Sequence, residues 1–157
     1  VVLSGAPLLA EEIAAHHTAP LLIGPDEESA QWIAQAAQVH GFDFGVCRKV
    51  RHGDRAVTIE LPAVPVAGRA VVLLDDVASS GHTLAEAAKL LLAAGATSVD
   101  VAITHALFAH GAMELVTSAG VQHIWSTDCI THPSNAVSMA GSIAAALSTI
   151  VLTETTP

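Results

Sequence analysis

The hydrophobic positions of this 157-residue chain fall into two alternating kinds of block. Short runs rich in Leu and β-branched residues end in turn residues, whereas longer Ala-rich blocks carry apolar residues at about every third or fourth position. The first pattern predicts buried strands, and the second predicts helices that cover them. Because strand and helix alternate along the chain, we expect an α/β fold: a parallel sheet with helices on both faces.

The predicted elements cover most of the chain. Predicted strands lie at residues 21–24, 44–48, 70–75, 99–104 and 123–127. Predicted helices lie at residues 7–17, 29–40, 80–91, 112–119 and 133–150. Ser29 and either Ser80 or Thr83 are the expected N-caps of two of these helices, because a hydroxyl can accept from the first free N–H groups. Residues 51–69 have no predicted element, and long loops of this kind are commonly functional.

Composition and charge restrict the class of protein. Hydrophobic residues make up 52%, charged residues 13%, and the formal net charge is -9. Such a chain is too apolar for disorder, so residues 1–157 are expected to form a single domain, and its small charged surface predicts a homo-oligomer. The scarcity of Lys and Arg argues against nucleic-acid binding. No apolar run is long enough to span a bilayer, and we expect no membrane partner.

The two cysteines, Cys47 and Cys129, lie far apart in the sequence and form no metal-binding or redox pair spacing. We expect both to be buried free thiols in a reducing compartment, the cytoplasm.

The segment at residues 71–84, VVLLDDVASSGHTL, carries the clearest candidate chemistry. A buried strand delivers Asp75 and Asp76 to its carboxyl end, where ligands of open α/β sheets bind. The small residues that follow offer hydroxyls, backbone N–H groups and a helix N-terminus to a phosphate. Because carboxylates repel a phosphate, these two are better suited to sugar hydroxyls or a metal ion. We therefore predict a sugar-phosphate site, whose phosphate-binding residues are Ser79, Ser80, Gly81, His82 and Thr83. For His82 two roles stay open: it contacts the phosphate, or it is a structural residue of the loop.

This segment resembles the phosphoribosyl-diphosphate (PRPP) binding motif of type I phosphoribosyltransferases and PRPP synthetases. Lys49-Val50-Arg51 resembles the Lys-x-Arg motif on the catalytic flexible loop of the synthetases, and residues 104–108 and 127–134 are similar to two later synthetase segments. The resemblance covers residues 6 to about 147. It implies a type I phosphoribosyltransferase fold, here the C-terminal half of a synthetase.

The resemblance implies a ribose-phosphate diphosphokinase, which transfers diphosphate from ATP to ribose 5-phosphate to make PRPP. Lys49 and Arg51 are then the catalytic candidates, because cations stabilise the charge on the transferred group. Pro25-Asp26 resembles the start of the family's Pro-Asp-x-Gly-Gly loop, which makes Asp26 the candidate ligand of a Mg²⁺ cofactor. The implied partners are ribose 5-phosphate, ATP and PRPP.

Two departures from the family pattern keep other functions open. Glu28 and Ser29 stand where the loop usually has two glycines, and a carboxylate beside a diphosphate is unfavourable unless a metal ion lies between them. We expect this chain to lack the N-terminal half of a synthetase, and we therefore expect the isolated chain to be inactive. The alternatives are a type I phosphoribosyltransferase that uses PRPP and a non-catalytic regulatory subunit associated with a PRPP synthetase.

Overall fold

The computed structural model describes residues 2–52 and 56–149. Its strands are β1 (Leu21–Gly24), β2 (Asp43–Val46), β3 (Arg48–His52), β4 (Ala56–Glu60), β5 (Ala70–Ala78), β6 (Ser98–Ala106), β7 (Val121–Thr127) and β8 (Asn135–Val137). Its helices are α1 (Ala6–His16), α2 (Ala30–His40), α3 (His82–Ala93), α4 (Ala112–Ser118) and α5 (Ala140–Ser148). Among these described residues, no helix combines the length and apolarity needed to cross a membrane.

Six strands form one parallel sheet in the order β2-β1-β5-β6-β7-β8. Helices α3 and α4 pack on one face and helices α1 and α2 on the other. The buried aliphatic residues of β5 alternate between the two faces: Val71 and Leu73 join the first cluster, whereas Val72 and Leu74 join the second. The predicted α/β class, with helices on both faces of a parallel sheet, is therefore confirmed.

The strand order reverses between β1 and β5. From β1 the chain moves outward to β2, and it then returns to form β5 on the other side of β1. In open α/β sheets such a switch point leaves a crevice at the carboxyl ends of the strands, because the following loops run in opposite directions. Here the loops after β1 and after β5 meet at this crevice.

Residues 44–48 do not form the one continuous strand that the sequence predicts. The sheet strand β2 ends at Val46, and the backbone N–H of Cys47 donates to the carbonyl of Gly24 at 2.8 Å. Strand β3 then begins at Arg48 and pairs antiparallel with β4 in a separate two-stranded sheet. The predicted loop at residues 51–69 therefore contains a strand.

The prediction of one helix over residues 133–150 is wrong at its start. Strand β8 pairs there with β7, and α5 begins only at Ala140. The side chain of Asn135 donates to the carbonyls of Thr127 and Ile130, which fixes the segment against the end of β7. These contacts join residues on either side of a turn, so helical periodicity does not reveal them.

The two cysteines have different environments. Cys47 is buried as predicted, and burial, with a smaller effect of the Asp26 charge, raises the pKa of its thiol to about 12. Cys129 is exposed in the turn after β7, so the prediction that it is buried is wrong. The segment around Cys129 has the polar composition of a turn, so the general tendency of cysteine to be buried did not predict its exposure.

Candidate functional site

A cavity of about 340 Å³ lies at the carboxyl ends of β1 and β5, at the switch point of the sheet. Its lining residues are Asp26, Glu28, Asp75, Asp76, Val77, Ala78, Ser79, Ser80, Gly81, Thr83 and Leu84. The structure thus brings the candidate metal ligand, both strand acids and most of the predicted phosphate loop around one space.

His82 is the loop residue that does not line this cavity. It is exposed on the first turn of α3 and lines a separate depression with Glu86 and Lys89. The residue before it, Gly81, has a left-handed backbone with a φ of 75°. The structure places His82 outside the cavity, and its role in phosphate binding stays a prediction.

Gly81, and neither Ser80 nor Thr83, is the N-cap of α3. A Cβ at this position would lie 3.0 Å from the side chain of Val116 and 3.1 Å from the carbonyl of Ala112. Both the left-handed backbone and the close approach of α4 therefore require glycine. The two serines keep their hydroxyls on an exposed loop beside the cavity, while the first turn of α3 presents N–H groups without intrahelical partners.

Asp75 and Asp76 lie inside β5 rather than just after it, because this strand continues to Ala78. Neighbouring strand residues face opposite sides of a sheet. Burial, together with the smaller effect of the negative charges of Asp26 and Asp76, raises the pKa of Asp75 to about 7, although the N–H of Asp76 donates to its Oδ1 at 3.0 Å and opposes the shift. Asp76 also lines a small adjoining cavity of about 90 Å³, together with Trp32 and His105.

Lys49 reaches the site from the hairpin formed by β3 and β4. Its Nζ donates to Asp26 Oδ2 at 2.6 Å, and its backbone N–H donates to Glu27 Oε2 at 3.3 Å. The sequence did not predict this ion pair, because the partners are 23 residues apart and lie in different elements. Arg51 lies in the same strand, paired with Val57, and its side chain is outside what the structure describes.

The two residues that replace the family's glycines have different roles. Ser29 is fully buried, and its Oγ donates to the carbonyl of Asp26 at 2.5 Å. It packs so closely over Gly24 that a Cβ there would overlap its hydroxyl. Glu28, by contrast, is exposed and lines the cavity, so it adds a further carboxylate to the site.

The acidic residues of the cavity bear on the candidate Mg²⁺ site. In residues 2–52 and 56–149, no group of three or more His, Cys, Asp or Glu is arranged to hold a metal ion by itself. Mg²⁺ is commonly held by one or two carboxylates together with water and substrate phosphates. Asp26, Asp75 and Asp76 supply such carboxylates at one cavity, so the donor set fits a Mg²⁺ ion that arrives with a phosphorylated ligand.

Comparison with known families agrees with the fold. The sequence pattern of the phosphoribosyl transferase domain family matches residues 5–140, which include every residue that lines the cavity. The chain belongs to this family.

Its relatives include enzymes named ribose-phosphate pyrophosphokinases. The protein of that name from Methanosarcina acetivorans is 36% identical over 148 residues, which cover 94% of this chain and 52% of the relative. Ribose-phosphate pyrophosphokinase 1 of Archaeoglobus fulgidus is 39% identical over 127 residues, 81% of this chain and 44% of the relative. The chain thus spans about half the length of the curated relatives it matches.

A solved structure supports the same fold. The phosphoribosylpyrophosphate synthetase of Mycobacterium smegmatis superimposes with a TM-score of 0.76, covering 92% of this chain and 49% of the other, at 22% identity. This likeness confirms the type I phosphoribosyltransferase fold that the sequence motif implies.

Proposed function

We propose that this chain is the ribose 5-phosphate-binding, C-terminal half of a ribose-phosphate diphosphokinase. The whole enzyme would transfer diphosphate from ATP to ribose 5-phosphate, forming PRPP and AMP. The observation that carries this proposal is the cavity at the switch point, which combines a small-residue loop at a helix N-terminus with a pair of strand carboxylates. The relatives named ribose-phosphate pyrophosphokinase support the same activity.

In this proposal the 5-phosphate binds at the turn between β5 and α3. The hydroxyls of Ser79, Ser80 and Thr83 donate hydrogen bonds to the phosphate, and the first N–H groups of α3 complete the anion site. The ribose hydroxyls then donate to Asp75 and Asp76, which are acceptors when ionised. Bound hydroxyls favour the charged carboxylate, and so they offset the burial that raises the pKa of Asp75 in the empty cavity.

Lys49 and Arg51 are the proposed catalytic cations. They would stabilise the negative charge that is spread over the diphosphoryl group as it moves to O1 of the ribose. A bound Mg²⁺, held by Asp26 and the carboxylates of β5, would neutralise further charge on the diphosphate. We further propose that the protein acts as a homo-oligomer in the cytoplasm and binds neither nucleic acid nor membranes.

Glu28 is the one observation that favours the alternative of a binding subunit without turnover. Its carboxylate lies at the cavity where the proposed diphosphate has to bind, and like charges repel there. The family's phosphoribosyltransferase activity is less well supported, because the sequence relatives described above carry the synthetase name.

Calorimetry on the 157-residue chain tests the binding half of the proposal. We expect both ribose 5-phosphate and PRPP to bind in the presence of Mg²⁺, and we expect Thr83→Val to weaken both at least tenfold. Lys89→Ala is the matched control, because Lys89 lies on the same helix outside the cavity. If neither ligand binds the unmodified chain, the proposed site is wrong.

Activity is tested on the protein together with the remaining half of a synthetase. Lys49→Ala should reduce AMP formation from ATP and ribose 5-phosphate by a factor of about 100 or more, with nearly unchanged ribose 5-phosphate binding. Full activity in this variant would contradict the role of Lys49. Binding without any turnover in the unmodified protein would instead support the regulatory alternative.

A further inference from the structure

The ion pair between Lys49 and Asp26 keeps the proposed catalytic ammonium on a carboxylate that lines the cavity. Asp26 lines the cavity, whereas Lys49 is not among the lining residues. The two groups are 2.6 Å apart, and the side chain of Asp26 is only 12% exposed while that of Lys49 is 39% exposed. The ammonium of Lys49 is thus the more exposed partner of a carboxylate that faces the cavity.

The two partners differ in their freedom to move. Asp26 Oδ1 accepts from the N–H of Glu28 at 3.1 Å, and its carbonyl accepts from both the N–H and the hydroxyl of the buried Ser29. These bonds fix the carboxylate at the end of β1. Lys49 has a flexible four-carbon stem on a hairpin strand, so its ammonium can change partner without a change in the loop.

The charges around the pair indicate what would make it exchange. Asp26 lies close enough to Asp75 to disfavour the ionised form of that carboxyl, so the cavity is rich in negative charge even with Lys49 in place. A divalent cation entering with a diphosphate would seek the same carboxylate oxygens, and two cations about 4 Å apart repel each other at low dielectric. The diphosphate oxygens offer the ammonium a second anion close by.

We propose that Asp26 is a holding partner for Lys49, which exchanges Asp26 for the diphosphate when a diphosphate ligand and its divalent cation occupy the cavity. Asp26 is then free to contact the divalent cation, and Lys49 gains the position from which it acts on the diphosphate. The inference rests on the proposed function, because that function assigns the diphosphate. It adds that Asp26 is a positioning residue for Lys49 as well as a candidate metal ligand.

The chain offers a direct probe of this exchange because it has two lysines, Lys49 and Lys89. Reductive methylation with ¹³C labels both side chains and keeps their positive charge. In an NMR spectrum Lys89, which is exposed on α3, serves as the internal reference. The Lys49 signal reports on the ion pair without any requirement for turnover.

The decisive comparison uses two ligands that differ only in the diphosphate. With Mg²⁺ present, ribose 5-phosphate should leave the Lys49 signal near its position in the empty chain, whereas PRPP should shift it. Lys89 should respond to neither ligand. In the ligand-free chain, Asp26→Asn should move the Lys49 signal toward that of Lys89, because the ammonium no longer has a charged carboxylate beside it.

Amide hydrogen exchange in β3 distinguishes an ion pair that breaks when the ligand binds from one that only stabilises the fold. Asp26→Asn should speed exchange in β3 in the ligand-free chain. At concentrations of PRPP and Mg²⁺ that saturate both the variant and the unmodified chain, the two should exchange at nearly the same rate. A purely structural contact predicts equally faster exchange in both states, which would contradict the inference.

The remaining outcomes distinguish the inference from the function on which it rests. If PRPP shifts the backbone amide signals of residues 79–83 but leaves Lys49 in place, the exchange is wrong and the binding site stands. If Asp26→Asn leaves the Lys49 signal of the empty chain unchanged, the holding contact is wrong. If no ligand shifts the amides of residues 79–83, the proposed function itself fails.

Discussion

Asp100, which is buried, and Asp75, which is half-buried, lie on neighbouring strands of the sheet and have opposite surroundings. Asp100, near the start of β6, is 1% exposed and accepts from the imidazoles of His17 and His123 at 2.8 and 2.9 Å and from the N–H of His123 at 2.9 Å. Asp75, near the end of β5, accepts from the N–H of Asp76, and two further carboxylates lie close to it. Asp100 has partners within the fold, whereas Asp75 has no cationic or hydroxyl partner among residues 2–52 and 56–149. A bound ligand could provide such partners.

The two ends of the sheet differ in function: polar groups at the amino ends stabilise the fold, and those at the carboxyl ends are available to a ligand. At the amino ends of the strands, both carboxylate oxygens of Asp100 have partners, so this residue links the end of α1 to β6 and β7. At the carboxyl ends, burial and repulsion raise the free energy of the ionised Asp75 in the empty cavity. A ligand that donates hydrogen bonds or brings a cation stabilises the ionised Asp75, and this stabilisation adds to its binding free energy.

Removal of the satisfied carboxylate is expected to have the largest effect. Asp100→Ala removes three hydrogen bonds to a buried carboxylate. Bonds to a charged group contribute about 1.5–3 kcal/mol each, and the exposed His123 imidazole can turn to water, so we expect a loss of about 3–5 kcal/mol. Chemical denaturation of the chain measures this loss of stability. A loss below about 1 kcal/mol would show that Asp100 is not the centre of a stabilising cluster.

Removal of the Asp75 carboxylate is expected to change stability in the opposite direction. The pKa of Asp75 is about 7 in the folded chain against an ordinary value of 3.8, so the folded state binds the proton more tightly than the unfolded state. The contribution of Asp75 to stability is therefore present below pH ~4 and is lost as the pH rises to ~7.

Asp75→Asn should remove this loss. At pH 8 the ligand-free variant should be more stable than the unmodified chain by about 2–4 kcal/mol, since each pKa unit corresponds to about 1.4 kcal/mol. The stability difference should shrink toward pH 4, and ribose 5-phosphate should bind at least tenfold more weakly. Denaturation across this pH range, together with calorimetry, measures both effects, and a pH-independent difference would contradict the assigned cause.

A smaller effect is expected at the rim of the cavity. Glu28→Gln removes an exposed carboxylate from the space that the anionic ligand enters, so ribose 5-phosphate should bind about two- to fivefold more tightly. The gain should shrink at high salt, because exposed charges are screened there. Weaker binding in this variant would instead indicate that Glu28 assists the ligand, for example through a metal ion.

The smallest effect is expected for His82→Ala. The side chain lines a depression outside the cavity, so the affinity for ribose 5-phosphate should change less than twofold. Calorimetry in parallel with the Thr83→Val variant provides the contrast within one loop. A tenfold loss for His82→Ala would show that the imidazole turns toward the phosphate when the ligand binds.

Local sequence was sufficient for the parts of the fold that depend on neighbouring residues. The boundaries of β1 and the end of α2 at Gly41 agree with the predicted elements, and strand β5 lies where the continuous aliphatic run indicates. The grouping of Asp75, Asp76 and the small-residue loop was also predictable, because these residues are contiguous and a strand followed by a helix brings them together.

The sequence by itself therefore determined the α/β class, the family and the main components of the candidate site. Only the tertiary structure decided the break of the strand at Cys47, the ion pair of Lys49 with Asp26 and the satisfied state of Asp100. Each of these depends on a contact between residues more than 20 positions apart. Periodicity and short motifs describe neighbours along the chain, whereas such contacts arise only when the packed sheet brings distant segments together.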